Sequence, residues 1–353
     1  MKILGIETSC DETAAAVVED GHRLLSSTVA SSMDLHALYG GVVPEIAARS
    51  HIEYIIPMIR QALSEAQEEW ADIDAIAVTY GAGLGGSLLI GVLAARTLAI
   101  VKRKPLYAVN HVEGHVYANF LTDTALPGYT LPDSQPRFPL LALIVSGGHS
   151  QLVLFRDHFD YTLLGQTQDD AIGEAFDKVA KIIGLPYPGG PSISKAAIIG
   201  NDKKYSLPKA NMSGRYDFSF SGLKTAVLRL AQREAGVGFE FPSRELSARL
   251  SDSVKADIAA SFERIAIQTV VDKTVMAYDE FSPADVVIAG GVAANSVLRE
   301  QLSSRLPCPI KYTDPKLCTD NGAMIATLGC FKFGARQEAA DAYTLNIAPD
   351  LSM

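Results

Sequence analysis

Asn110-His111-Val112-Glu113-Gly114-His115 sets two imidazoles four residues apart, directly after the apolar run Leu106 to Val109. If a helix starts there, both rings lie on one face. Neutral imidazole is the commonest side-chain metal ligand, and a pair at this spacing chelates one ion without straining the backbone. A third ligand is suggested by a likeness inside the chain. One apolar run ends in Thr79-Tyr80-Gly81 and is followed by a helix pattern; Val286-Val287-Ile288-Ala289 runs into Gly290-Gly291, with Ser296 at the same offset from its first glycine as Ser87. His111 lies 30 residues after Gly81, and Asp320 lies 30 after Gly290. If the chain is two related halves facing each other, Asp320 stands at a helix start across a cleft from His111 and His115. Two histidines and one carboxylate with open positions suit iron or zinc. By itself, Asp320 before Asn321-Gly322-Ala323 also suits a helix cap.

The elements that must position these residues are those of a compact globular chain. Its 353 residues suffice for two domains, and 48% hydrophobic against 20% charged residues is ordinary globular composition. A net charge of -9 argues against a self-sufficient nucleic-acid binder. Any nucleic acid needs a local basic patch or a basic partner; Lys102-Arg103-Lys104 reads first as a solvated helix end favoured by the dipole. Cys10, Cys308, Cys318 and Cys330 form no C-x-x-C pair, so neither a disulfide nor a zinc framework is expected. A strand-like run follows Met1 within two residues, which leaves no room for a signal segment. The apolar run Ser87 to Val101 is interrupted by Arg96 and too short to span a bilayer. A cytoplasmic protein is expected.

Ile3 to Ile6 enters the turn Glu7 to Thr13 and returns as Ala14 to Val18, a hairpin whose turn is loaded with hydroxyls and acids. Leu141 to Val145 enters Ser146-Gly147-Gly148-His149 and returns as Gln151 to Phe155, the same design. Such small-residue turns expose backbone N–H groups that can cradle phosphate. Two such hairpins plus a late Gly-Gly turn predict an α/β, actin-like (ASKHA) duplicated two-domain fold with a nucleotide cleft between the halves. The Pro-rich stretch 122–139 is the linker candidate. The expected domains are 1–125 plus 326–353, and 126–325 with an insertion around 165–245. Within the insertion, Ile172, Phe176, Val179 and Ile183 mark a helix that stops at Gly184. Residues 244–280 read as one or two amphipathic helices.

Together these motifs resemble one family, the tRNA N6-adenosine threonylcarbamoyltransferases (TsaD). The resemblance covers nearly the whole chain and rests on Gly5 to Thr13, Tyr39 to Glu45, His111 to His115, Val145 to His149, Gly173 to Lys178, Tyr187 to Pro191, Asp217 to Thr225, Gly290 to Asn295 and Cys318 to Gly322. It implies transfer of a threonylcarbamoyl group from threonylcarbamoyl-adenylate to N6 of the adenosine just 3′ of the anticodon, in tRNAs reading codons that begin with A. It implies one Fe(2+) ion, or zinc, on His111, His115 and Asp320. The adenylate, or ATP, is held by Ile144, Val145, Ser146, Gly147, Gly148, Asp177, Gly190 and Asn295, with Ser194 in a neighbouring position. In bacterial relatives the partners are a smaller paralogous subunit (TsaB-like) and a P-loop ATPase (TsaE-like); no membrane is involved. Asp11 and Glu12 are candidates for taking the proton of the attacking amine. The chain departs from the family pattern at Ala82, Ser150 and Pro208-Lys209-Ala210.

Two other readings compete. An H-x-E-x-H pattern suggests a zinc metallopeptidase, but Glu113 lies about 200° round a helix from an ion shared by both rings. An actin-like nucleotide switch or assembly module fits the fold, yet such proteins hold magnesium through nucleotide phosphates and carboxylates.

Overall fold

The computed structural model describes all 353 residues. The run Ile3-Leu4-Gly5-Ile6 has no polar alternation because its strand is covered on both faces. It forms β1 (Lys2–Glu7), which pairs antiparallel with β2 (Glu12–Glu19) so that Glu7 lies opposite Ala14. With β3 (Arg23–Ser31), β4 (Ala75–Gly81), β5 (Leu106–Asn110) and β6 (Asp123–Thr124), these strands build a sheet of order β5-β4-β1-β2-β3-β6. β4 runs parallel to β1, and β5 to β4, so helices must return the chain between them.

The period of two along β1 divides its contacts between the two faces. Leu4 and Ile6 pack with Ile55 and Ile59 of the helix Pro44–Ala66 and Val92 of the helix Gly85–Lys102. The latter is the one helix long and apolar enough to cross a membrane, and its buried side belongs to this core. On the opposite face, Gly5 meets the helix Gly322–Gly334 at backbone distance; a Cβ on Gly5 would stand 2.3 Å from the Gly322 carbonyl oxygen. No larger residue fits there.

β7 (Leu140–Val145), β8 (Ser150–Asp157), β9 (Asp160–Gln166), β10 (Asp285–Ala289) and β11 (Ile310–Lys311) form a second sheet of order β11-β10-β7-β8-β9. β10 is parallel to β7, while β7, β8 and β9 are antiparallel neighbours. The series β10-β7-β8-β9 thus repeats β4-β1-β2-β3 in order and direction, which is the expected duplication. Helices Ile172–Ile183, Gly189–Ala197 and Ser221–Glu234 follow β9, and the helix Asp252–Phe281 precedes β10. Gly184 ends the first of these in a left-handed conformation, as its sequence signals.

The chain divides into two compact units, Met1–Pro136 with Lys311–Met353, and Arg137–Ile310. It leaves the first unit inside the Pro-rich stretch, but the expected limits at 125 and 326 both fall within that unit. Asp320 therefore belongs with His111 and His115 and is not on the other half. The cause is the helix Gly322–Gly334: Gly322 to Cys330 are all buried, and this apolar surface is satisfied against β1, β2 and β4. The matching 30-residue spacings do not mark equivalent positions on opposite halves.

Candidate functional site

In the first unit, β5 delivers the chain to Asn110, whose side chain accepts from the N–H groups of Val112 and Glu113 and starts the helix His111–Tyr117. Tyr117 stacks on Phe120 with centroids 5.1 Å apart, and Phe331 meets both edge-on. This cluster fixes the histidine helix against the helix Gly322–Gly334. At the start of the latter the cap is Asn321, not Asp320: its Oδ1 accepts from the Met324 N–H, and its amide donates to the carbonyls of Leu317 and Thr319. The Asp320 carboxylate instead faces the two histidines.

Asp320 Oδ1 lies 3.5 Å from His111 Nε2 and 3.3 Å from His115 Nε2. Two ligand atoms on one tetrahedral ion at zinc–nitrogen distances stand about 3.4 Å apart. One donor atom from each of the three residues falls within 4.8 Å of the others. The His115 ring is buried, yet neither of its nitrogens makes a hydrogen bond. A buried polar group in that state is costly unless something else engages it. Burial pushes the Glu12 carboxyl up to about 10, helped by Asp320 and Asp11, so negative charge is crowded here. Donor set, spacing and excess charge all fit a divalent cation. Glu12 thereby holds its proton at neutral pH, and a cation held at Asp320 would lower it.

His111 is oriented from behind. Its Nδ1 lies 3.0 Å from Ser9 Oγ and 3.2 Å from Glu7 Oε2, which directs Nε2 toward Asp320. Burial pushes His111 down, but Asp320 and Glu7 outweigh it and raise it to about 9. Glu7 is fully buried and also accepts from the Ser9 N–H and the Thr79 hydroxyl. Burial opposes its charge, and His111 with these donors holds it below the usual carboxylate range. Glu7→Gln is expected to keep the fold and lower metal affinity 10- to 100-fold, measured by competition with a chelator. Glu7 and Ser9 lie in a quoted motif, but nothing in their spacing pointed to His111.

Glu113 sits between the two histidines in sequence but outside their cluster. Its Oε1 is buried without a hydrogen bond, and burial raises it to about 7, with Lys332 pulling the other way. A carboxyl raised in the fold lends stability that is complete below its unfolded value near 4.5 and is lost as pH rises through about 7. Glu113→Gln should therefore add on the order of 3 kcal/mol of stability at pH 8, read as a higher melting temperature, and much less near pH 5. This position excludes the metallopeptidase arrangement, in which the glutamate stands beside the ion.

In the second unit, Ser146 to His149 join β7 to β8. The Ser146 N–H donates to the His149 carbonyl, and the His149 N–H donates to Ser146 Oγ. Ile144 and Val145 end β7 and are buried, while Gly147 and Gly148 have open space where a Cβ would be. Asp177 Oδ1 accepts from the Gly189 N–H at 2.6 Å and so ties the helix Ile172–Ile183 to the start of the helix carrying Gly190 and Ser194. Asn295 Oδ1 accepts from the Leu298 N–H as the cap of the helix Ser296–Arg305. Ser194 and Asn295 are brought together by a residue the sequence reading passed over, Glu263.

The family model described as TsaD, tRNA N6-adenosine threonylcarbamoyltransferase, matches residues 23–327. The chain belongs to the TsaD family. A tRNA N6-adenosine threonylcarbamoyltransferase of Thermomicrobium roseum is 53% identical over 92% of this chain and 90% of its own length. Another of that name, from Symbiobacterium thermophilum, is 49% identical over 99% and 96%. Among solved structures, HypF of T. kodakarensis superposes with a TM-score of 0.60 at 14% identity, over 97% of this chain and 49% of that one. Full-length HypF in its phosphate- and nucleotide-bound form gives 0.58 at 12% identity, over 96% and 47%. That likeness is one of fold, and it identifies this TsaD member as an actin-like, duplicated α/β protein.

Proposed function

We infer that the chain transfers a threonylcarbamoyl group from threonylcarbamoyl-adenylate to N6 of the adenosine just 3′ of the anticodon. The observation that carries this is the conjunction of TsaD family membership with a cluster of two buried histidines and one half-buried carboxylate. We assign His111, His115 and Asp320 as holders of one divalent metal, iron or zinc. When bound, such an ion polarises carbonyl or phosphate oxygens. Glu7 holds the His111 ring with its Nε2 toward Asp320. The turn Ile144 to Gly148, with Asp177, Gly190, Ser194 and Asn295, binds the adenylate. There the exposed N–H groups of the glycine turn stabilise the charge on phosphate or on the carbonyl oxygen as the amine attacks and AMP leaves. Asp11 and Glu12 are the candidates for taking the amine proton; Glu12 can do so only in its ionised form, which burial disfavours.

tRNA is the acceptor, and a smaller paralogous subunit and a P-loop ATPase are the partners implied by the family resemblance. The test supplies purified protein, these partners, labelled threonylcarbamoyl-adenylate and tRNA, with a tRNA carrying inosine at the target as control. Label in the adenosine-containing tRNA alone supports the assignment, and label in both or neither rejects it.

A further inference from the structure

Glu263 lies mid-way along the helix Asp252–Phe281, at a position flanked by the buried residues Ala259, Phe262 and Ala266, where an apolar side chain is expected. It is only 5% exposed. Its Oε1 accepts from Ser194 Oγ at 2.6 Å and from Asn295 Nδ2 at 2.8 Å, and Asn295 Nδ2 also donates to Ser194 Oγ at 3.1 Å. A carboxylate is removed from water only where polar partners hold it, and these two side chains are those partners. The consequence is a matter of inventory. One Nδ2 proton of Asn295 is shared between Glu263 Oε1 and Ser194 Oγ, its Oδ1 is committed to Leu298, and the Ser194 proton is committed to Glu263. The capacity left on the Ser194 and Asn295 side chains is lone pairs and the second Nδ2 proton of Asn295, all held in fixed directions.

We propose that Glu263 is a positioning residue of the adenylate site, which fixes Ser194 and Asn295 in one orientation and so sets where their corner accepts a hydrogen bond and where Asn295 donates one. The ligand group it selects is one that both donates and accepts, such as a hydroxyl of a nucleotide. This rests on the assignment of Ser194 and Asn295 to that site. Without Glu263 the Asn295 side chain is held only by its cap bond to Leu298, and the Ser194 proton can point elsewhere; the cost falls on ligand binding and not on the chemical step.

The test compares Glu263→Ala, Glu263→Gln and Asn295→Ala, singly and with Glu263→Ala combined with Asn295→Ala, in transfer from threonylcarbamoyl-adenylate to tRNA. Glu263→Ala is expected to raise the KM for the adenylate at least about tenfold with kcat within about twofold. Glu263→Gln keeps the Oε1 acceptor and should restore most of that loss. In the Asn295→Ala background, Glu263→Ala should add less than about threefold, because its effect runs through that partner. If Glu263→Ala does not fold, Glu263→Asp is used; it keeps the charge but cannot reach both partners, and the same rise in KM is expected. An unchanged KM, a fall in kcat alone, a full additional effect in the Asn295→Ala background, or no rescue by glutamine overturns the proposal. No transfer by the wild type refutes instead the functional reading on which it rests, so the two failures are distinct.

Discussion

His115→Ala is expected to abolish tight metal binding and to lower threonylcarbamoyl transfer by at least about a thousandfold, while leaving the metal-free protein folded. On the proposed assignment three donor atoms would hold the ion, and removing one of three would give up both affinity and the fixed geometry on which several kcal/mol of electrostatic catalysis would depend. His115 separates this effect from folding better than His111. Its buried ring nitrogens make no hydrogen bond, and the carboxylate it leaves behind, Asp320, is half-buried and keeps His111 beside it, so the loss of packing is offset in part by removing a group that is costly to bury. His111→Ala, by contrast, leaves the fully buried Glu7 with neutral donors only, and should cost a further ~3 kcal/mol in stability. Metal content per chain and the melting temperature of chelator-treated protein check both statements. Equal melting temperatures for the two variants would show that Glu7 does not depend on His111.

Gly290→Ala is expected to be as damaging in the second unit. Gly290 has φ +88°, which side-chain-bearing residues rarely adopt, and a Cβ there would stand 2.5 Å from the Val145 carbonyl oxygen. Backbone strain of this kind costs about 1–3 kcal/mol before the collision is counted. The collision is with β7 where it enters the Ser146 turn, so relief displaces the residues assigned to the adenylate. Binding of AMP should weaken at least about thirtyfold and the melting temperature should fall by several degrees. Gly190→Ala is the control, because a Cβ there meets no atom within 4 Å. It should melt like the wild type. A Gly290→Ala protein that melts and binds AMP normally would mean that this turn does not shape the site.

Much of this was legible in the sequence. The i and i+4 histidines lie on one helix face because spacing alone sets that, and both hairpins follow from uninterrupted apolar runs broken by small polar turns. The helix ending at Gly184 buries the four apolar positions that marked it. What escaped depends on three-dimensional return of the chain. Glu7 serves His111 from 104 residues away, and Glu263 joins residues 69 before and 32 after it. Local pattern cannot register such contacts, although a glutamate at an apolar helical position is a usable sign. Asp320 was found from a likeness of spacing, yet it reaches the histidines because the apolar helix after it needs the first sheet. Its capping role falls to Asn321 because that amide can both accept from the helix and donate to the preceding loop.

The most direct measurement is single-turnover transfer of labelled threonine from threonylcarbamoyl-adenylate into tRNA by the wild-type protein with its partner subunits, stripped of metal and then reloaded. The expected result is label at adenosine N6 on reloading with iron or zinc and none before it. Label that appears equally in the stripped protein would contradict a role for the His111, His115 and Asp320 cluster, and no label from folded, reloaded protein would contradict the transferase assignment itself.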